Sequence, residues 1–116
     1  MKHEESNIQI AGMEWLRLQY PKVALNTFHI GNERKTSAYA GLIMQKMGVL
    51  AGVSDLFLAW PIAQYHGMFL EIKSKKGRLS PLQSAFLERM TDAGYHTEVC
   101  YDVDQIINAI TWYLSR

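Results

Sequence analysis

The sequence has a single cysteine, only three prolines and no apolar run that approaches the length of a membrane span. A lone cysteine, Cys100, excludes an internal disulfide and fits a reducing compartment. It lies in the apolar-flanked run His96-Thr97-Glu98-Val99-Cys100-Tyr101 with nothing nearby to activate it, so it reads as a packed core thiol. The charged start, Met1 to Glu5, has no apolar signal core. These absences point to a soluble intracellular protein with no membrane partner. The chain has no internal repeat, low-complexity tract or Pro/Gly/Ser linker, and 116 residues suffice for one domain but not two. A single domain over residues 1–116 is expected. A Walker loop, a zinc spacing of Cys and His, and a nucleophile elbow are all missing.

Acids are scarce in the middle of the chain. Residues 15 to 80 hold nine Lys or Arg against three acids, Glu33, Asp55 and Glu71, although the whole chain carries a net charge of only +1. A surplus of this kind is compatible with a polyanionic partner and equally with scattered solvation. What matters is where the few acids sit.

Apolar periodicity predicts a helix over residues 4 to 19, ended by Tyr20-Pro21. A short strand is expected over Lys22 to Ile30, and a helix over 35 to 47 with Gly48 just past its end. Leu56 to Trp60 and Met68 to Ser74 read as strands. Residues 80 to 93 carry the clearest helix signals: Ser80 as N-cap, Pro81 at the first position and Gln83 completing a capping box. A strand over 95 to 101 and a final helix capped by Asp102 follow. Trp15, Trp60 and Trp112 belong to apolar faces or strand ends, and Tyr39 and Tyr65 are the aromatics expected to be exposed. This order gives an α/β fold, a mixed sheet with helices on both faces.

The chemistry gathers in Gly52-Val53-Ser54-Asp55 and in Phe69-Leu70-Glu71-Ile72-Lys73. Side chains alternate along a strand, so Glu71 and Lys73 share one face while Leu70 and Ile72 share the other. If the two strands pair as a hairpin, Asp55 comes close to Glu71. Two carboxylates with a nearby carbonyl, that of Ile72, suit a hard cation, Mg2+ or Mn2+. Lys73 beside such an ion would hold a water or offset charge on a phosphate, a set suited to phosphodiester hydrolysis. Glu-x-Lys alone is a weak signal, because wet strand faces often carry both charges. Its setting strengthens it: the strand is otherwise apolar, and the basic run Ser74-Lys75-Lys76-Gly77-Arg78 follows directly, either as a solvated turn or as a phosphate clamp.

The runs GVSDLFLAWP, GMFLEIKSKKGRLSPLQSAFL and AGYHTEVCYDVDQIINAI resemble the virus-type replication-repair nuclease (VRR-NUC) family, a branch of the PD-(D/E)XK nucleases, over nearly the whole chain. The resemblance implies a restriction-endonuclease-like core. It matches Asp55, Glu71 and Lys73 to the family's motif, with Ser54 where the family has proline. It adds Gln83, for which the capping box is a sufficient reason by itself. It also adds Glu5, ahead of Gln9, as a possible metal ligand, whose position equally suits the helix dipole. Asn32 and Arg34, with Lys35, fall where the family approaches DNA, and His29 is a possible contact. By resemblance, the expected protein is a cytoplasmic, phage or bacterial homodimer. It would use Mg2+ or Mn2+ to cut branched DNA such as four-way junctions, in repair or recombination. The alternative is a non-catalytic DNA-binding module of the same fold.

Overall fold

Helix α1 (Lys2–Gln19) begins the computed structural model, which describes residues 2–31 and 37–116. Tyr20 leaves helical geometry, and Pro21 then starts a second, four-residue helix, α2 (Pro21–Ala24). This corrects the expected strand over Lys22 to Ile30: only β1 (Thr27–His29) is extended. The reason is local. Pro21 at the first helical position presets a turn, and the Thr27 hydroxyl donates to the Val23 carbonyl at 2.8 Å, closing it.

Helix α3 (Ala38–Lys46) is capped by Ser37, whose hydroxyl accepts from Ala40 N, and Gly48 follows with φ +106°. The remaining elements are β2 (Leu56–Leu58), β3 (Met68–Ile72), α4 (Pro81–Asp92), β4 (His96–Cys100) and α5 (Val103–Leu114). Strands β2 and β3 are shorter than expected. After β3 the chain turns at once, with Gly77 N donating to Ser74 O at 2.8 Å. Ser80 and Gln83 form the full capping box, and Asp102 caps α5 as anticipated.

The sheet runs β1-β2-β3-β4, with the first three strands antiparallel and β4 parallel to β3. Alternation divides its faces. Leu56, Leu58, Leu70, Ile72 and Cys100 meet Leu16 of α1 and Ile106, Ile110 and Tyr113 of α5. Phe57, Phe69 and Val99 meet Phe86 and Leu87 of α4. Helices α1 and α5 approach so closely that a Cβ on Gly12 would lie 2.9 Å from Ile106 Cδ1. Trp15 and Trp60 pack against the core, and Trp112 is 39% exposed. Tyr39 is exposed as expected. Tyr65 is not: it packs among His96, Trp112 and Tyr113. No helix among the described residues is long and apolar enough to cross a membrane.

Candidate active site

The approach to Asp55 is set by Gly52, which adopts φ +91° where a Cβ would fall 2.7 Å from the Leu82 carbonyl. A side chain fits neither that backbone nor that space, so the loop lies flat against the start of α4 and delivers Ser54 and Asp55 to the head of β2. Both are buried. The Asp55 carbonyl accepts from Ile30 N at 2.8 Å, tying the loop to the end of β1. Its carboxylate reaches across to β3, where Oδ2 accepts from Ile72 N at 2.7 Å. The β2–β3 ladder pairs Leu56 with Leu70, so one step further along sets Asp55 against Glu71.

Glu71 is 2% exposed. Removing a carboxylate from water is costly unless it is paired and hydrogen-bonded. The Lys73 ammonium lies 3.7 Å from Glu71 Oε2, and Gln83 Nε2 donates to the same oxygen at 3.1 Å. Gln83 also accepts from Ser80 N at 2.9 Å, so the cap and the contact with Glu71 coexist.

The first turn of α1 closes the other side. Glu5 Oε2 accepts from Ser74 N and Glu4 Oε2 from Lys75 N, each at 3.1 Å. The base of the lysine-rich turn is thereby pinned while Lys75, Lys76 and Arg78 stay exposed. Glu5, Asp55 and Ile72 line one cavity of about 270 Å³ together with Gln9, Ile10 and His29. Two groups result, Asp55 with Glu5 and Glu71 with Lys73 and Gln83, joined through the Ile72 backbone. Asn32, Arg34 and Lys35 lie outside the described residues.

The sequence assigns no part to Glu4, and Gln9 enters only as the glutamine that follows Glu5 in the family's pattern. Their partners are 71 and 20 residues away, and no local pattern announces such pairs. Cys100 is the inert core thiol expected: burial, aided by Glu98 and Asp102, pushes it from 9.0 to about 12.

Among the described residues no three or more His, Cys, Asp or Glu side chains form a metal-binding group. The donors present are two carboxylates on neighbouring strands and the backbone at Ile72. Mg2+ commonly takes one or two carboxylates and keeps its remaining waters, so this donor set suits that ion.

Among curated proteins, none matches this chain. A solved structure described as "VRR_NUC domain protein" superposes with a TM-score of 0.84 at 26% identity, covering 97% of this chain and 88% of that one. The family model for the VRR-NUC domain matches residues 3–104. The mixed sheet flanked by helices and this near-complete match lead to one conclusion: the chain belongs to the VRR-NUC family of nuclease domains.

Proposed function

We propose that this protein is a metal-dependent DNA endonuclease whose reacting groups are Asp55, Glu71 and Lys73. One observation carries the reading: the Asp55 carboxylate is fastened to the amide of Ile72, the residue between buried Glu71 and its ion partner Lys73. A chain rarely buries two acids beside a half-buried lysine at one strand end for stability alone, since apolar residues would serve as well there.

Asp55, Glu71 and the Ile72 carbonyl would hold Mg2+ or Mn2+, with Glu5 assisting. When bound, such an ion lowers the pKa of water and stabilises charge on a phosphate. Gln83 fixes the rotamer of Glu71 through its amide. Lys73 directs its ammonium at the reacting phosphate, where it positions water or offsets developing charge. Lys75, Lys76 and Arg78 grip flanking phosphates, and Asn32, Arg34 and Lys35 are further proposed contacts with DNA.

The substrate is proposed to be branched DNA, such as a four-way junction, and the working form a homodimer. Support for the dimer comes from α3 and the segment after it. Helix α3 buries none of its residues, and Tyr39, Leu42, Met47 and Leu50 are all exposed. An apolar face of this kind fits an isologous contact, and two sites related by a two-fold axis suit paired cuts.

The test is cleavage of labelled duplex, single-strand, flap and four-way-junction DNA with Mg2+, Mn2+ or EDTA, beside Lys73→Ala. The expected result is cutting that needs the metal, is lost in Lys73→Ala and is fastest on the junction. Salt-sensitive binding with no cutting under either metal would leave a DNA-binding module in its place.

A further inference from the structure

A second cavity of about 410 Å³ adjoins the one that holds Asp55. Gln9, Ile10 and His29 line both, so the two form one groove between α1 and the edge strand β1. Beyond Gln9 the groove continues past Met13 and Leu56 towards Arg17. Along α1 the order is therefore the lysine-rich turn at Glu4 and Glu5, the Asp55 cavity, then this groove. At 1.5 Å rise per residue, Gln9 stands about 6 Å beyond Glu5.

The charges divide along the same line. Lys73, Lys75, Lys76 and Arg78 lie at the turn, whereas Arg17, in the groove, is accompanied by Glu14. Among the described residues the groove is neutral, with Ile10, Met13 and Leu56 along it, which suits the flat face of a base better than a phosphate. Ile10, an aliphatic side chain at the junction of the two cavities, is 55% exposed. A polar reader stands beside it. His29 Nδ1 lies 3.0 Å from the Asp55 carbonyl and 3.2 Å from Gln9 Nε2. The carbonyl only accepts, so that bond needs a proton on Nδ1, and the contact with Gln9 needs a bare one. When His29 serves Asp55, the Gln9 amide keeps a donor and an acceptor to spend, the pair that reads a base edge.

We propose that the groove between α1 and β1 holds one unpaired nucleobase of the bound strand, packed against Ile10 and read by the Gln9 amide. This rests on the reading of the protein as acting on DNA. It names the substrate feature sought: a nucleotide out of the stack beside the cut, where extrusion costs least.

The probe is a fluorescently labelled duplex carrying one unpaired 2-aminopurine, against the same duplex fully paired. Both are bound in EDTA and followed by anisotropy and by acrylamide quenching of the 2-aminopurine. The expected preference for the unpaired site is about tenfold, what removing roughly 55 Å² of apolar base and side-chain surface from water contributes. Bound protein should shield the base from quencher. Ile10→Ala and Gln9→Ala should each cut the preference at least about threefold and restore quenching, with paired-duplex affinity unchanged. Equal affinity for the two duplexes, or a preference that survives both substitutions, overturns the proposal while DNA binding stands. Failure to bind either duplex overturns the DNA reading as well.

Discussion

Gln83 spends both ends of its amide: the oxygen accepts from the N-cap amide of Ser80 at 2.9 Å, and the nitrogen donates to Glu71 Oε2 at 3.1 Å. The start of α4 and the buried carboxylate are thus oriented by one side chain. Gln83→Ala removes both bonds and is expected to lower stability by about 1–2 kcal/mol in urea unfolding. Gln83→Glu keeps the cap but sets a like charge against Glu71, so cleavage should fall at least about tenfold with α4 still formed. Wild-type cleavage by Gln83→Glu would remove the contact from the mechanism.

Asp55 also has two uses, one structural and one proposed as chemical. Asp55→Asn retains an oxygen for Ile72 N and should unfold within about 1 kcal/mol of wild type. Asp55→Ala leaves that buried amide without its partner and should lose about 1–3 kcal/mol. Both should cleave more than about a hundredfold more slowly. Equal stability losses would mean that the bond to Ile72 contributes nothing.

The lysine-rich turn yields an electrostatic prediction. Lys75, Lys76 and Arg78 are exposed and follow directly on the site. Each contact with a phosphate contributes about 0.9 to the slope of log K against log salt. Changing all three to Gln should flatten that slope by about 2–3 in a binding titration in EDTA. An unchanged slope would place the phosphates elsewhere.

Ser54 is fully buried, and its hydroxyl makes no hydrogen bond among the described residues. A buried unbonded hydroxyl costs about 1–3 kcal/mol. Ser54→Ala should therefore raise stability by about 1 kcal/mol, roughly 4 °C in melting temperature for a domain of this size. A lower melting temperature would show that the hydroxyl is satisfied in solution.

Two core groups set an alkaline limit. Burial pushes Cys100 from 9.0 to about 12 and Tyr113 from 10.0 to about 12; Glu98 and Asp102 add to the first, Tyr65 to the second. Raised values mean that the folded state keeps protons which the unfolded chain releases. Their contribution is intact below pH 9 and is lost as pH rises towards 12. The urea midpoint should fall over that window, and less steeply in Cys100→Ala. An identical fall in the variant would exclude the thiol as a cause.

Much of this protein is legible in its sequence. The caps at Ser80 and Asp102, the alternation of Glu71 and Lys73 with Leu70 and Ile72, and the stop at Tyr20-Pro21 are local events, written within a few residues and decided by backbone geometry and strand alternation. They sufficed to place a mixed sheet between helices and to single out Asp55, Glu71 and Lys73. The segment after Pro21 departs from expectation because Val23, Ala24 and Leu25 suit a strand by type, whereas Pro21 and the Thr27 hydroxyl wind them into a turn of helix. Tyr65 is half-buried rather than exposed because α5 and β4 bring Tyr113 and His96 against it from elsewhere in the chain.

What only the tertiary structure decided are the pairings between distant segments: Asp55 on Ile72, Glu4 and Glu5 on the turn after β3, Gln9 beside His29, and Gln83 turned to Glu71. Local sequence specifies which groups a strand or helix offers and on which face. Which of them meet is decided by how the apolar faces of α1, α4 and α5 settle on the sheet, because burial of those faces, and not attraction between the polar groups, dominates the free energy of assembly.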